Sequence, residues 1–153
     1  MAAPAAAPLD DALCTSPPIV LKLFPMKTTI IISRVLLGLM FLVFGLNGFL
    51  NFIPQPPPSG LAGQFLGAMF VSHYLSVVFA LQIVAGTLLL ANRFVPAALT
   101  ILGPLLVNIA LFHATMAPAG FAPAVIAIAL WSVVLASERA VFLPLLAAKS
   151  TTR

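Results

Sequence analysis

Six polar side chains interrupt stretches that are otherwise apolar: Asn47, Asn51, His73, Gln82, Asn108 and His113. Amides and neutral imidazoles both donate and accept hydrogen bonds, so a cluster of them can hold a polar headgroup. Two histidines at similar depth on neighbouring helices are also the axial set of a bis-histidine haem. Nothing else in the sequence supports haem, and histidine at a membrane edge is ordinary. No Asp or Glu falls between residues 12 and 137, so these amides and imidazoles have no carboxylate with which to form an acid–base pair or a proton relay. Two histidines with amides make a poor metal set, and no metal site is expected. Cys14 is the single cysteine; it cannot close an intramolecular disulfide, and no C-x-x-C occurs. There is no nucleophile motif, phosphate loop or dinucleotide fingerprint.

The elements that position these side chains follow from composition. The chain is 62% hydrophobic and 7% charged, where a soluble domain is about a quarter charged. A soluble fold cannot hide that much apolar surface, so the expected solvent is lipid. The net charge of +4 does not point to nucleic acid, because the basic residues are scattered and make no patch. No charge occurs from residue 35 to 92, or from 94 to 137. A transmembrane helix needs roughly 20 residues, and each charge-free stretch holds two. The expected spans are about 30–51, 73–91, 94–115 and 121–141. Helices are required, since an open strand leaves backbone groups unpaired in lipid.

Three connections stand out. The run 51–60, "NFIPQPPPSG", is too rich in proline to be helical. The runs 91–94, "ANRF", and 116–120, "MAPAG", read as tight turns. Between the first connection and the second span lies "LAGQFLGAMFV". At 100° per residue, Leu61, Phe65, Leu66, Met69 and Phe70 share one half, and Gly63, Gln64, Gly67 and Ala68 the other. That pattern predicts a short interfacial helix. The expected fold is therefore all-α: a polytopic membrane protein, an antiparallel bundle of four transmembrane helices with a short interfacial helix between helices 1 and 2.

The domain organisation reads as an Ala/Pro-rich disordered tail over 1–27, a transmembrane domain over 28–143 and a short basic tail over 144–153. Met26-Lys27 before an apolar run has the form of a translation start, and no cleaved signal peptide is expected. All seven basic residues fall on one side of this threading. Lys22, Lys27 and Arg34 open helix 1, Arg93 separates helices 2 and 3, and Arg139, Lys149 and Arg153 close the chain. The positive-inside rule then puts both termini in the cytoplasm. Arg34, Arg93 and Arg139 serve as topology anchors, and long side chains there can snorkel to the headgroups.

On this threading Asn47, Asn51, His73, Asn108 and His113 belong to the outer half. Gln82 lies about 13 Å deeper than His73 at ~1.5 Å per residue. Gly38 and Gly45 share a face of helix 1 with Arg34 and admit a neighbouring helix. Two readings of the amides remain open. Asn47, Gln82 and Asn108 face inward and glue the helices, at ~0.6–2 kcal/mol each, or the six polar residues line a pocket open to the outer face.

The segments "RVLLGLMFLVFGLNGF", "ALQIVAGTLLLANRF" and "GPLLVNIALFH" resemble the DoxX family of small bacterial integral membrane proteins. The resemblance covers roughly 30–142 and is carried by R-x-L-L-G-x-x-F-x-x-x-G (Arg34 to Gly45) and N-x-x-x-F-H (Asn108 to His113). It implies a four-helix bundle in the bacterial inner (plasma) membrane. It also implies a role as an accessory subunit of a quinone-linked redox system, founded on the oxidation of sulfur compounds. A quinone headgroup would then sit among Asn108, His113 and His73, and the partner would be a membrane redox protein or further copies of the chain. Gly48 and Gln82 depart from the lysine and the acidic residue common at those positions, which removes an acid and a base. A small-solute transporter and an assembly partner without ligand are the alternatives.

Overall fold

The computed structural model describes residues 26–54 and 57–146; of the tail expected to be disordered over 1–27, residues 1–25 lie outside them, as do Lys149 and Arg153, while Met26 and Lys27 belong to the first helix. The described residues form helices α1 (Met26–Leu50), α2 (Gly60–Val71), α3 (Tyr74–Leu90), α4 (Val95–Thr115), α5 (Phe121–Ser137) and α6 (Arg139–Phe142). Short 3₁₀ turns cover Pro118–Gly120 and Leu143–Leu146, and no strand occurs among the described residues. α1, α4 and the run Pro118–Ser137 are each long and apolar enough to cross a membrane. α2 and α3 meet at 84° and count as a fourth such unit when taken together.

Neighbours pack in a closed circuit. α1 lies against α3 and α5, and α4 lies against α3 and α5. The most intimate of these contacts is α1 on α3. A Cβ at Gly38 would meet the Gly86 carbonyl and the Leu90 side chain, at 3.1 and 3.0 Å. One at Gly45 would meet the Phe79 carbonyl at 2.9 Å. Rising numbers on α1 thus pair with falling numbers on α3, so the two helices run in opposite directions. Leu37, Phe41, Ala85, Leu89, Leu99 and Leu102 fill the centre, and Val134 reaches it from α5.

α1 begins at Met26, earlier than the sequence pattern placed it. Arg34 therefore stands eight residues into the helix, about 12 Å from its start. It is only partly exposed, and its Nε is buried without a hydrogen-bond partner among the described residues. Arg93 and Arg139 are exposed.

Two features of α4 deserve their physical cause. Pro96 sits in the first turn, where its missing N–H is not needed. Pro104 lies inside the helix and cannot donate to the Thr100 carbonyl. One residue before that gap, the Leu99 carbonyl accepts a hydrogen bond from Trp131 Nε1 on α5, at 3.0 Å. Trp131 thereby ties α5 to α4 with its ring over Gly103.

Candidate functional site

Four of the six polar residues stand at turns, Asn47 and His113 bonding to them through their side chains and Asn51 and His73 through a left-handed backbone. Asn47 is in the last turn of α1. Its Oδ1 accepts from the Ile53 N–H at 2.6 Å, and its Nδ2 donates to the Ile53 carbonyl at 3.5 Å. It clasps the chain as it leaves the helix. Asn51, one turn on, is exposed and holds φ at 51°. That is the left-handed conformation in which helices commonly end, and asparagine is among the few residues that adopt it readily.

The Asn47 clasp has a measurable consequence. Asn47→Ala leaves the Ile53 N–H without its acceptor. The variant is expected to lose about 1 kcal/mol and to become more sensitive to protease at residues 51–59. Asn47→Asp keeps the acceptor and is expected to protect the loop. Equal proteolysis of all three forms would count against the clasp.

His73 is the elbow between α2 and α3. It is exposed and left-handed, with φ 58°. Its N–H donates to the Phe70 carbonyl, and its own carbonyl accepts from Ser76, each at 3.1 Å. Backbone conformation, not the imidazole, is what this position requires. His73→Gly is therefore expected to keep or slightly raise thermal stability, and His73→Val to lower it by about 1–2 kcal/mol. The reverse ranking in a melting experiment would give the imidazole a role of its own.

His113 plays the part of Asn47 at the end of α4. Its Nδ1 lies 3.0 Å from the Ala117 carbonyl. A carbonyl only accepts, so Nδ1 carries the proton there. The ring packs on Gly120 so closely that a Cβ at that position would overlap it. The imidazole is thus fixed on its own turn.

Gln82 and Asn108 differ from these four and from each other. Gln82 is buried, 6% exposed, on the side of α3 that faces Gly45, and its Oε1 is buried with no hydrogen-bond partner among the described residues. Asn108 is exposed. This corrects the inward-facing assignment made for it. α4 is apolar nearly all round, so period alone could not say which face turns to the core. Val95, Ala98, Leu99, Leu102 and Leu106 do so, and Asn108 lies off that stripe.

A half-open groove of about 360 Å³ lies between α4 and α5, lined by Gly103, Leu106, Val107, Ala110, Leu111, Ile128 and Trp131. None of the six polar residues lines it. Among the described residues no three His, Cys, Asp or Glu side chains gather as a metal site would need.

The sequence pattern placed Phe65 on the apolar half of α2 but did not single out Trp131. A lone tryptophan in an apolar helix carries an N–H that needs an acceptor, and that signal was present. Phe65 on α2 stacks on Phe112 of α4, with ring centroids 5.9 Å apart and planes inclined by 28°. This contact brings α2 to the end of α4 beside His113. α2 turns Ala62, Phe65, Leu66 and Met69 toward its neighbours and leaves Leu61 and Phe70 exposed, at 63% and 70%.

Comparison with known proteins adds no identity: no protein-family model, curated protein or solved structure matches the chain.

Proposed function

We propose that this chain is a four-helix integral membrane protein that acts as an accessory subunit, working through contacts within the bilayer and not through a reaction of its own. One observation carries the reading. Of the six polar side chains, Asn47 and His113 are engaged by their own turns and none lines the groove between α4 and α5, whereas large apolar residues are exposed on every long helix. Exposed apolar surface of that extent needs lipid or a partner to cover it.

In this reading α1, α3, α4 and α5 cross the membrane as an antiparallel bundle. α2, set at 84° to α3, lies along the interface with Leu61 and Phe70 turned to the lipid. The basic residues put both termini in the cytoplasm. The redox association, with a dehydrogenase-like or quinone-linked partner in a bacterial inner membrane, comes from the resemblance to the DoxX family. His113 is held by its own turn, while His73 and Asn108 are exposed, so quinone chemistry is assigned to the partner.

Purification from native membranes in a mild detergent tests the function. The expected result is a stable complex with a redox protein. A protein that purifies alone, or that conducts a solute in liposomes, overturns it. Orientation is read separately: an impermeant maleimide is expected to label Pro58→Cys in intact cells and to leave the native Cys14 unlabelled.

A further inference from the structure

We infer that this protein pairs with a second copy of itself through the exposed face of α4, about a two-fold axis that passes beside Asn108. The inference rests on the reading that α4 crosses the bilayer.

Asn108 is well inside α4, about 10 Å from its end at Thr115, and it is exposed. The other polar side chains exposed on α4 are satisfied locally. Thr100 Oγ1 donates to the Pro96 carbonyl at 2.9 Å, and Thr115 Oγ1 to the Leu111 carbonyl at 2.8 Å. The Asn108 amide makes no hydrogen bond among the described residues. An amide left so in hydrocarbon is unfavourable, and polar residues in spans are found paired across helices.

The chemistry of the group selects the partner. An amide is both donor and acceptor, so it is complementary to itself. An axis along the membrane normal holds both copies of Asn108 at one depth, with each Nδ2 facing the other's Oδ1. A lipid chain can fill an apolar groove but offers Asn108 neither donor nor acceptor.

The surroundings are self-complementary in shape as well. Val107 and Leu111 flank Asn108 and are each 60% exposed. They also line the groove between α4 and α5, together with the small residues Gly103 and Ala110 of α4 and with Ile128 and Trp131 of α5. A ridge and a hollow therefore lie side by side on one patch. Rotation about an axis between two such patches lays the ridge of each copy into the hollow of the other, which is the isologous contact of a two-fold dimer.

The test uses the full chain in liposomes with Cys14→Ser as background. Leu111→Cys is expected to oxidise to a disulfide-linked dimer, while Val77→Cys on α3 and Ile31→Cys on α1 stay monomeric. In dilution experiments read by energy transfer, Asn108→Leu is expected to weaken the dimer about 3- to 30-fold, and Asn108→Gln to hold it near the parent value. Retained helicity of Asn108→Leu keeps the comparison independent of folding. Leu111→Cys linking no faster than the two controls overturns the inference. So does an unchanged dimer constant for Asn108→Leu, or capture of a different polypeptide by Leu111→Cys in native membranes. Extraction by alkaline carbonate distinguishes the two levels. A chain that stays in the membrane without cross-linking removes the dimer alone, whereas release into solution removes the membrane reading with it.

Discussion

Gly86→Val is expected to drive α1 and α3 apart and to be the most damaging single substitution in the described chain. A Cβ at residue 86 would lie 2.7 Å from the Leu42 nitrogen and 2.8 Å from the Gly38 carbonyl. Both are main-chain atoms of the facing helix, so no side-chain rotation can relieve the overlap. The helices must separate along their whole contact, which opens the packing around Leu37 and Leu89. Overpacking of a well-filled core costs about 1–3 kcal/mol, and the backbone on the far side puts this case at or above the top of that range. Gly67→Ala is the control, since nothing lies within 4 Å of a Cβ there. Unfolding in a graded detergent mixture, followed by loss of helicity, measures both. Similar midpoints for the two variants would show that α1 and α3 do not pack as closely as described.

Gln82→Met is expected to do the opposite and stabilise the fold by about 1–3 kcal/mol. The two side chains have similar length, and the substitution removes a carbonyl oxygen that is buried without a partner. A buried polar atom left so retains its desolvation penalty and returns nothing for it. The same unfolding assay reads the gain. A loss of stability instead would mean that Oε1 is bonded in the working protein, by ordered water or by a partner side chain. If Gln82→Met is more stable and also loses its co-purifying protein, the amide is kept for association and not for the fold.

Much of this architecture is legible in the sequence because its strongest signals are coarse. Two charge-free stretches and their proline-rich breaks locate the helices to within a few residues, and α2 begins at Gly60, one residue before the stripe read from Leu61. The exception at helix starts is α1, which runs back to Met26 and so carries Arg34 two turns inward. The polar residues were harder to read, for two physical reasons. Asn47 and His113 are satisfied by backbone groups of the following turn, and a turn's path is not written in helical period. Asn108 stands on a helix with apolar residues on every side, where facing inward and facing outward give the same pattern. The glycines carried more information: Gly38 and Gly45 sit where α1 meets α3, because close approach has no substitute for a missing side chain.

The single tryptophan gives the molecule an optical probe of its own. The Trp131 indole is anchored to the Leu99 carbonyl, so its emission has one principal environment to report. One edge of the ring faces the groove between α4 and α5. Bromine atoms on lipid tails will quench that emission only while the groove admits them. Whatever covers the groove will protect the fluorophore, so occupancy of this surface can be followed in real time without attaching a dye.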